Sequence, residues 1–125
     1  MKKLLKLSLV IILTGFTLFI NSCKKAETEV TFDENLLIGK WVTAKTIFYK
    51  YTSDHNGLTW DTSDDVTETE AQKYTWNLNK AVLTQTHIME IGGNIPKVYT
   101  ITSLNATSLV YKDNFGNETT FTKVP

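Results

Sequence analysis

Val98 to Val124 reads VYTITSLNATSLVYKDNFGNETTFTKV, and this stretch decides the fold class. Lys97–Ser103, Ser108–Asp113 and Glu118–Val124 are three runs rich in Thr, Val, Tyr and Phe, side chains that suit a pleated, half-buried surface. Polar clusters separate them. Asn114–Asn117 reads as a hairpin turn in which Gly116 supplies the positive φ. Neighbouring strands joined this tightly form an antiparallel meander.

The same pattern continues towards the N-terminus. Val82–Glu90 is the preceding strand, cut off by Gly92-Gly93-Asn94. Tyr74-Thr75-Trp76-Asn77-Leu78 alternates apolar and polar, as a half-buried strand does, and Asn79-Lys80 turns it into Val82. Lys40–Tyr51 is a further β stretch, carrying Val42, Thr43, Thr46, Ile47, Phe48, Tyr49 and Tyr51. It ends at the turn cluster Ser53–Gly57, with Leu58–Asp61 as a short return strand. Thr62–Gln72 is acidic and polar, a loop or a frayed helical turn. Thr31 and Glu34 have capping-box spacing, which predicts one helical turn ending at Gly39. Seven or eight short strands at this spacing indicate an antiparallel sandwich or barrel. A meander can remove both of its edges by joining its ends. The expected fold is therefore all-β: a small up-and-down barrel of about eight strands, wide enough for side chains or one small ligand.

The chain has 125 residues, 42% hydrophobic and 21% charged, enough for one globular domain. Its start is different in kind. Lys2 and Lys3 precede Leu4–Ile20, which is apolar apart from Lys6, Ser8, Thr14, Gly15 and Thr17. A cationic start, an apolar stretch and then small residues are the layout of a secretion signal. The alternative, a permanent transmembrane helix, needs about 20 apolar residues; this run is slightly short and carries Lys6 inside it.

Ile20-Asn21-Ser22-Cys23 resembles the lipobox of bacterial lipoproteins. The resemblance implies that Cys23, the single cysteine, is acylated and becomes the new N-terminus. The alternative is a secreted protein with a free thiol, a liability in an oxidising compartment. Lys24 follows the cysteine where an aspartate would retain some lipoproteins in the inner membrane, so the resemblance implies an outer-membrane anchor, facing periplasm or exterior. The expected organisation is a signal peptide over 1–22, a polar tether over 23–33 and a β-domain over 34–125. Without Lys2, Lys3 and Lys6, the 13 lysines fall below the 13 acids and the balance becomes −3; the chain has no arginine. That balance argues against nucleic acid as a partner.

Leu37-Ile38-Gly39-Lys40-Trp41, with the Tyr74–Leu78 strand and the C-terminal Val98–Val124 segment, resembles the small lipocalin-like domains of bacterial lipoproteins, related to the calycins. The likeness covers residues 36–125. It implies that Gly39 and Trp41 form the signature at the first strand, with the Trp41 indole plugging the closed end and its N–H bonded to a backbone carbonyl. Lipocalins pack an arginine near the last strand across that tryptophan. Here Lys123 is the stand-in, its stem on the ring and its ammonium at the rim.

Chemistry-bearing patterns are sparse. His55 lies in a turn and His87 shares a strand face with Gln85 and Met89; their spacing is not that of a metal site. Asp61, Asp64, Asp65, Glu68 and Glu70 form an acidic loop without calcium-loop spacing. No nucleophile elbow or phosphate loop is present. The reading is therefore non-enzymatic, with no cofactor and no metal. Aromatic side chains are the better lead: Trp60, Trp76, Tyr74, Tyr99 and Tyr111 are candidate ligand contacts, with Trp60 at the open mouth. Two functions are expected from these readings. One is a lipid-anchored envelope module binding a small apolar or amphipathic ligand. The other is a filled barrel that docks an envelope protein or a glycan. Lumen volume separates them.

Overall fold

The computed structural model describes residues 29–125, so the signal-like segment and Cys23 lie outside the described residues. One helical turn, α1 (Glu34–Leu37), precedes eight strands: β1 (Gly39–Thr43), β2 (Ile47–Tyr51), β3 (Asn56–Asp61), β4 (Gln72–Asn79), β5 (Val82–Ile88), β6 (Asn94–Leu104), β7 (Ser108–Lys112) and β8 (Glu118–Lys123). Each pairs antiparallel with the next, and β8 returns to β1 through Trp41↔Lys123 and Val42↔Thr122, so the barrel closes. Closure satisfies the backbone groups that an open meander would leave at two edges.

Period-two alternation sets which face each residue takes. Trp41, Tyr49, Tyr51, Tyr74, Trp76, Leu83, Ile101, Leu109, Tyr111 and Phe121 pack together in the interior. Their rings meet edge-on or tilted: Tyr51 with Trp76 at 5.7 Å and 80°, and Tyr49 with Phe121 at 5.5 Å and 83°. Such geometry sets a positive ring edge against a negative ring face.

The base is closed by α1, and a shared set of carbonyls explains how. A short helix leaves its last carbonyls without partners inside the helix. Trp41 Nε1 donates to the Leu37 carbonyl at 2.8 Å. Lys123 Nζ donates to the carbonyls of Leu36, at 3.3 Å, and Ile38, while lying 4.5 Å from the centre of the Trp41 ring. Gly39 makes this approach possible. Its φ is +130°, and a Cβ there would stand 2.6 Å from Lys123 Cε.

Local details differ from the sequence reading. Lys40–Tyr51 is two strands, because Ala44 and Lys45 both take positive φ, 52° and 68°, and turn the chain at Ala44–Thr46. The α1 cap is Asp33, whose carboxylate accepts from Asn35 N at 3.0 Å, rather than Thr31. The helix ends at Leu37, and Gly39 opens β1 instead of capping it. Residues 29–33, expected as tether, already lie on the base: Phe32 N donates to the Lys80 carbonyl at 3.2 Å, and Glu29 pairs with Lys80.

Candidate functional site

Strand direction sorts the connections onto two ends. The base carries α1, Thr52–His55, Lys80–Ala81 and Asn105–Thr107. The opposite end, the mouth, carries Ala44–Thr46, the 62–71 segment, the 89–93 segment and Asp113–Asn117. Aromatic side chains fill the barrel from the base upward. Nearer the mouth the inward positions turn polar: Thr59, Gln72, Gln85, His87 and Lys97, with Ile95 and Tyr99 among them.

Below the mouth lies a buried polar chain. Gln85 Nε2 donates to the Tyr51 hydroxyl at 2.7 Å. Gln85 Oε1 can only accept, so its 3.0 Å contact with His87 Nε2 places the imidazole proton on that nitrogen. The His87 ring stacks on Tyr74 at 5.3 Å, and the Tyr74 hydroxyl donates to the Lys50 carbonyl at 2.7 Å. Burial, and then the charge of Lys97, lower the His87 pKa to about 4. The imidazole is neutral near pH 7. Burial raises Tyr51, Tyr74 and Tyr111, and it raises Tyr99 to about 12. All four are protonated donors. The His87 and Tyr74 protons are engaged within the barrel, on Gln85 Oε1 and the Lys50 carbonyl.

At the rim, a cleft of about 630 Å3 opens between the start of β4 and the end of β5, lined by Glu70, Gln72, Lys73, Ile88, Met89 and Ile91. Gln72 Nε2 lies 2.8 Å from Met89 Sδ across it. A second groove of about 390 Å3 runs on the wall beside Gly57, Leu58 and Tyr74.

The candidates from sequence separate in space. Tyr74, Tyr99 and Tyr111 come together beneath the mouth, Tyr99 stacking on Tyr111 at 4.2 Å. Trp76 is inside but near the base, where its Nε1 donates to the carbonyls of Asn56, at 3.0 Å, and Thr52, at 3.2 Å, and its ring stacks on His55. Trp60 stands at the mouth end of β3 but points outward, not into the barrel, stacked on Phe48 at 5.2 Å with Lys40 over its ring. It is still only 8% exposed, because the acidic 62–71 segment folds across it. Glu68 fastens that segment, accepting from Lys40 and Lys50 at 2.7 Å each. Both ammonium groups hold the Glu68 carboxyl below its usual range.

Gln85, His87, Met89 and Lys97 were not sequence candidates. The available signal was polarity at an inward position: Gln85 and His87 alternate in phase with buried Leu83. Among the described residues no group of three or more His, Cys, Asp or Glu is placed to hold a metal ion, and no helix is long and apolar enough to cross a membrane. Comparison with protein-family models, with curated proteins and with solved structures found no match.

Proposed function

We propose that this chain is a lipid-anchored, lipocalin-like envelope protein that binds a small amphipathic molecule at its mouth without making or breaking bonds. One observation carries the reading. The rim cleft has the size of a small-molecule site and is lined by Ile88, Met89 and Ile91 together with Glu70, Gln72 and Lys73. Apolar walls next to a few polar groups suit a ligand with an apolar body and a polar head. The anchor rests on the Cys23 resemblance and the signal-like segment before it.

The test is native mass spectrometry of the mature protein released from its host's membranes in mild detergent. A small molecule should travel with the wild type and be lost from Met89→Glu. Its absence from both would refute ligand binding. The second reading, docking of an envelope protein or a glycan, is favoured by the aromatic filling of the lower barrel and by two exposed tips at the mouth end, Ile91 at 92% and Phe115 at 89%. In that case a partner, not a small molecule, would co-purify.

A further inference from the structure

We infer that the barrel stands on its base at the membrane, with the mouth directed away from the bilayer that holds Cys23. The inference rests on the lipid-anchor reading and adds an orientation to it.

The first support is where the chain leaves the barrel. Glu29 pairs with Lys80 in the β4–β5 turn, and Phe32 N bonds the carbonyl of the same residue, so the N-terminal segment departs from the base. From Cys23 to Glu29 the chain advances by six residues. Fully extended, those cover at most about 22 Å, at roughly 3.3–3.6 Å each.

The barrel's own height is the second. β6 has 11 residues. At about 3.3 Å per residue and a barrel tilt near 40°, it rises roughly 27 Å from base to rim. A mouth pressed on the bilayer would lift Glu29 about that far from the surface, beyond the reach of the tether. A base resting on the bilayer needs almost none of the reach.

Charge on the tether points the same way. Lys24 and Lys25 immediately follow the anchor position. An anionic surface attracts that tether, and with it the end of the barrel from which it departs. A ligand at the mouth is then taken from the aqueous side, not lifted out of the anchoring bilayer.

The experiment uses the mature, full-length protein reconstituted in vesicles of phosphatidylethanolamine and phosphatidylglycerol. Acylation occupies the Cys23 sulfur, so an introduced cysteine is the single free thiol. Ala106→Cys labels the base and Asn114→Cys the mouth, both at exposed turn positions. With a quencher carried on the lipid head groups, a dye at residue 106 should be quenched several-fold more than one at residue 114. Equal quenching, or stronger quenching at 114, overturns the orientation while flotation with the vesicles upholds the anchor. Failure of the protein to float overturns the anchor, and the orientation falls with it.

Discussion

Gly57→Ala tests how the barrel interior is assembled, because it adds one methyl group at a known distance from known atoms. Gly57 sits in β3 with no unusual φ, so backbone strain does not enter. A Cβ there would lie 2.2 Å from two ring carbons of Tyr74 and 2.7 Å from the Lys50 carbonyl oxygen. Carbon atoms rest at about 3.5–4.0 Å, so the ring must retreat by more than an ångström. It is pinned on three sides: its hydroxyl bonds Lys50 O at 2.7 Å, Tyr51 meets it edge-on at 5.6 Å, and His87 stacks on it at 5.3 Å. Overpacking of this kind costs about 1–3 kcal/mol. Losing the hydroxyl bond adds about 1 kcal/mol. The sum, about 3 kcal/mol, corresponds to a Tm loss of roughly 15 °C in a domain of this size. The assay is urea and thermal unfolding followed by tryptophan fluorescence, on Gly57→Ala, Tyr74→Leu and the pair. Tyr74→Leu removes the ring that the added methyl group would strike, so the double variant should be more stable than the two losses added together. If Gly57→Ala stayed within about 0.5 kcal/mol of wild type, or the losses simply added, the packing described between β3 and β4 would be wrong.

Three further outcomes are expected. His87 is held near pKa 4 against about 6.5 in an unfolded chain, so the unfolded state takes up the proton first; stability should be full above pH 6.5 and decline by roughly 3 kcal/mol as the pH falls towards 4. His87→Gln should flatten that slope in acid titrations monitored by circular dichroism, and an unchanged slope would discount the burial of the imidazole. Lys123→Met keeps the stem on Trp41 but removes the ammonium from the Leu36 and Ile38 carbonyls; a loss of about 1–2 kcal/mol is expected by chemical denaturation, and a loss below a few tenths would argue against the base closure. Glu68→Gln should leave global stability within about 1 kcal/mol, since exposed ion pairs contribute little, yet speed amide exchange across residues 62–71 and shift the Trp60 emission; unaltered exchange there would mean Glu68 does not fasten the segment.

Much of the fold was legible in the residues. Strand alternation in Tyr74–Leu78 and the hairpin chemistry of Asn114–Asn117 depend on neighbours in sequence, and β4, β7 and β8 lie where those patterns place them. The site was less legible. Trp60 reads as a mouth residue from its neighbours, but its partners, Phe48, Lys40 and the segment held by Glu68, come from elsewhere in the chain. The Ala44–Lys45 turn carries no glycine or asparagine. It is imposed by the pairing of Trp41 with Tyr49 and of Thr43 with Ile47, which buries one face of each strand.

Residue order alone points to an all-β chain of about eight short antiparallel strands, because period-two patterning and turn residues act locally. The folded barrel was needed to establish which strands meet at the seam, that Gly57 makes room for Tyr74, that Gln85 and His87 form a buried polar chain below the mouth, and that Lys123 reaches back to the carbonyls of α1. Nearly all of these are contacts between residues far apart in sequence. They depend on register and closure, which the pairing of all eight strands sets together.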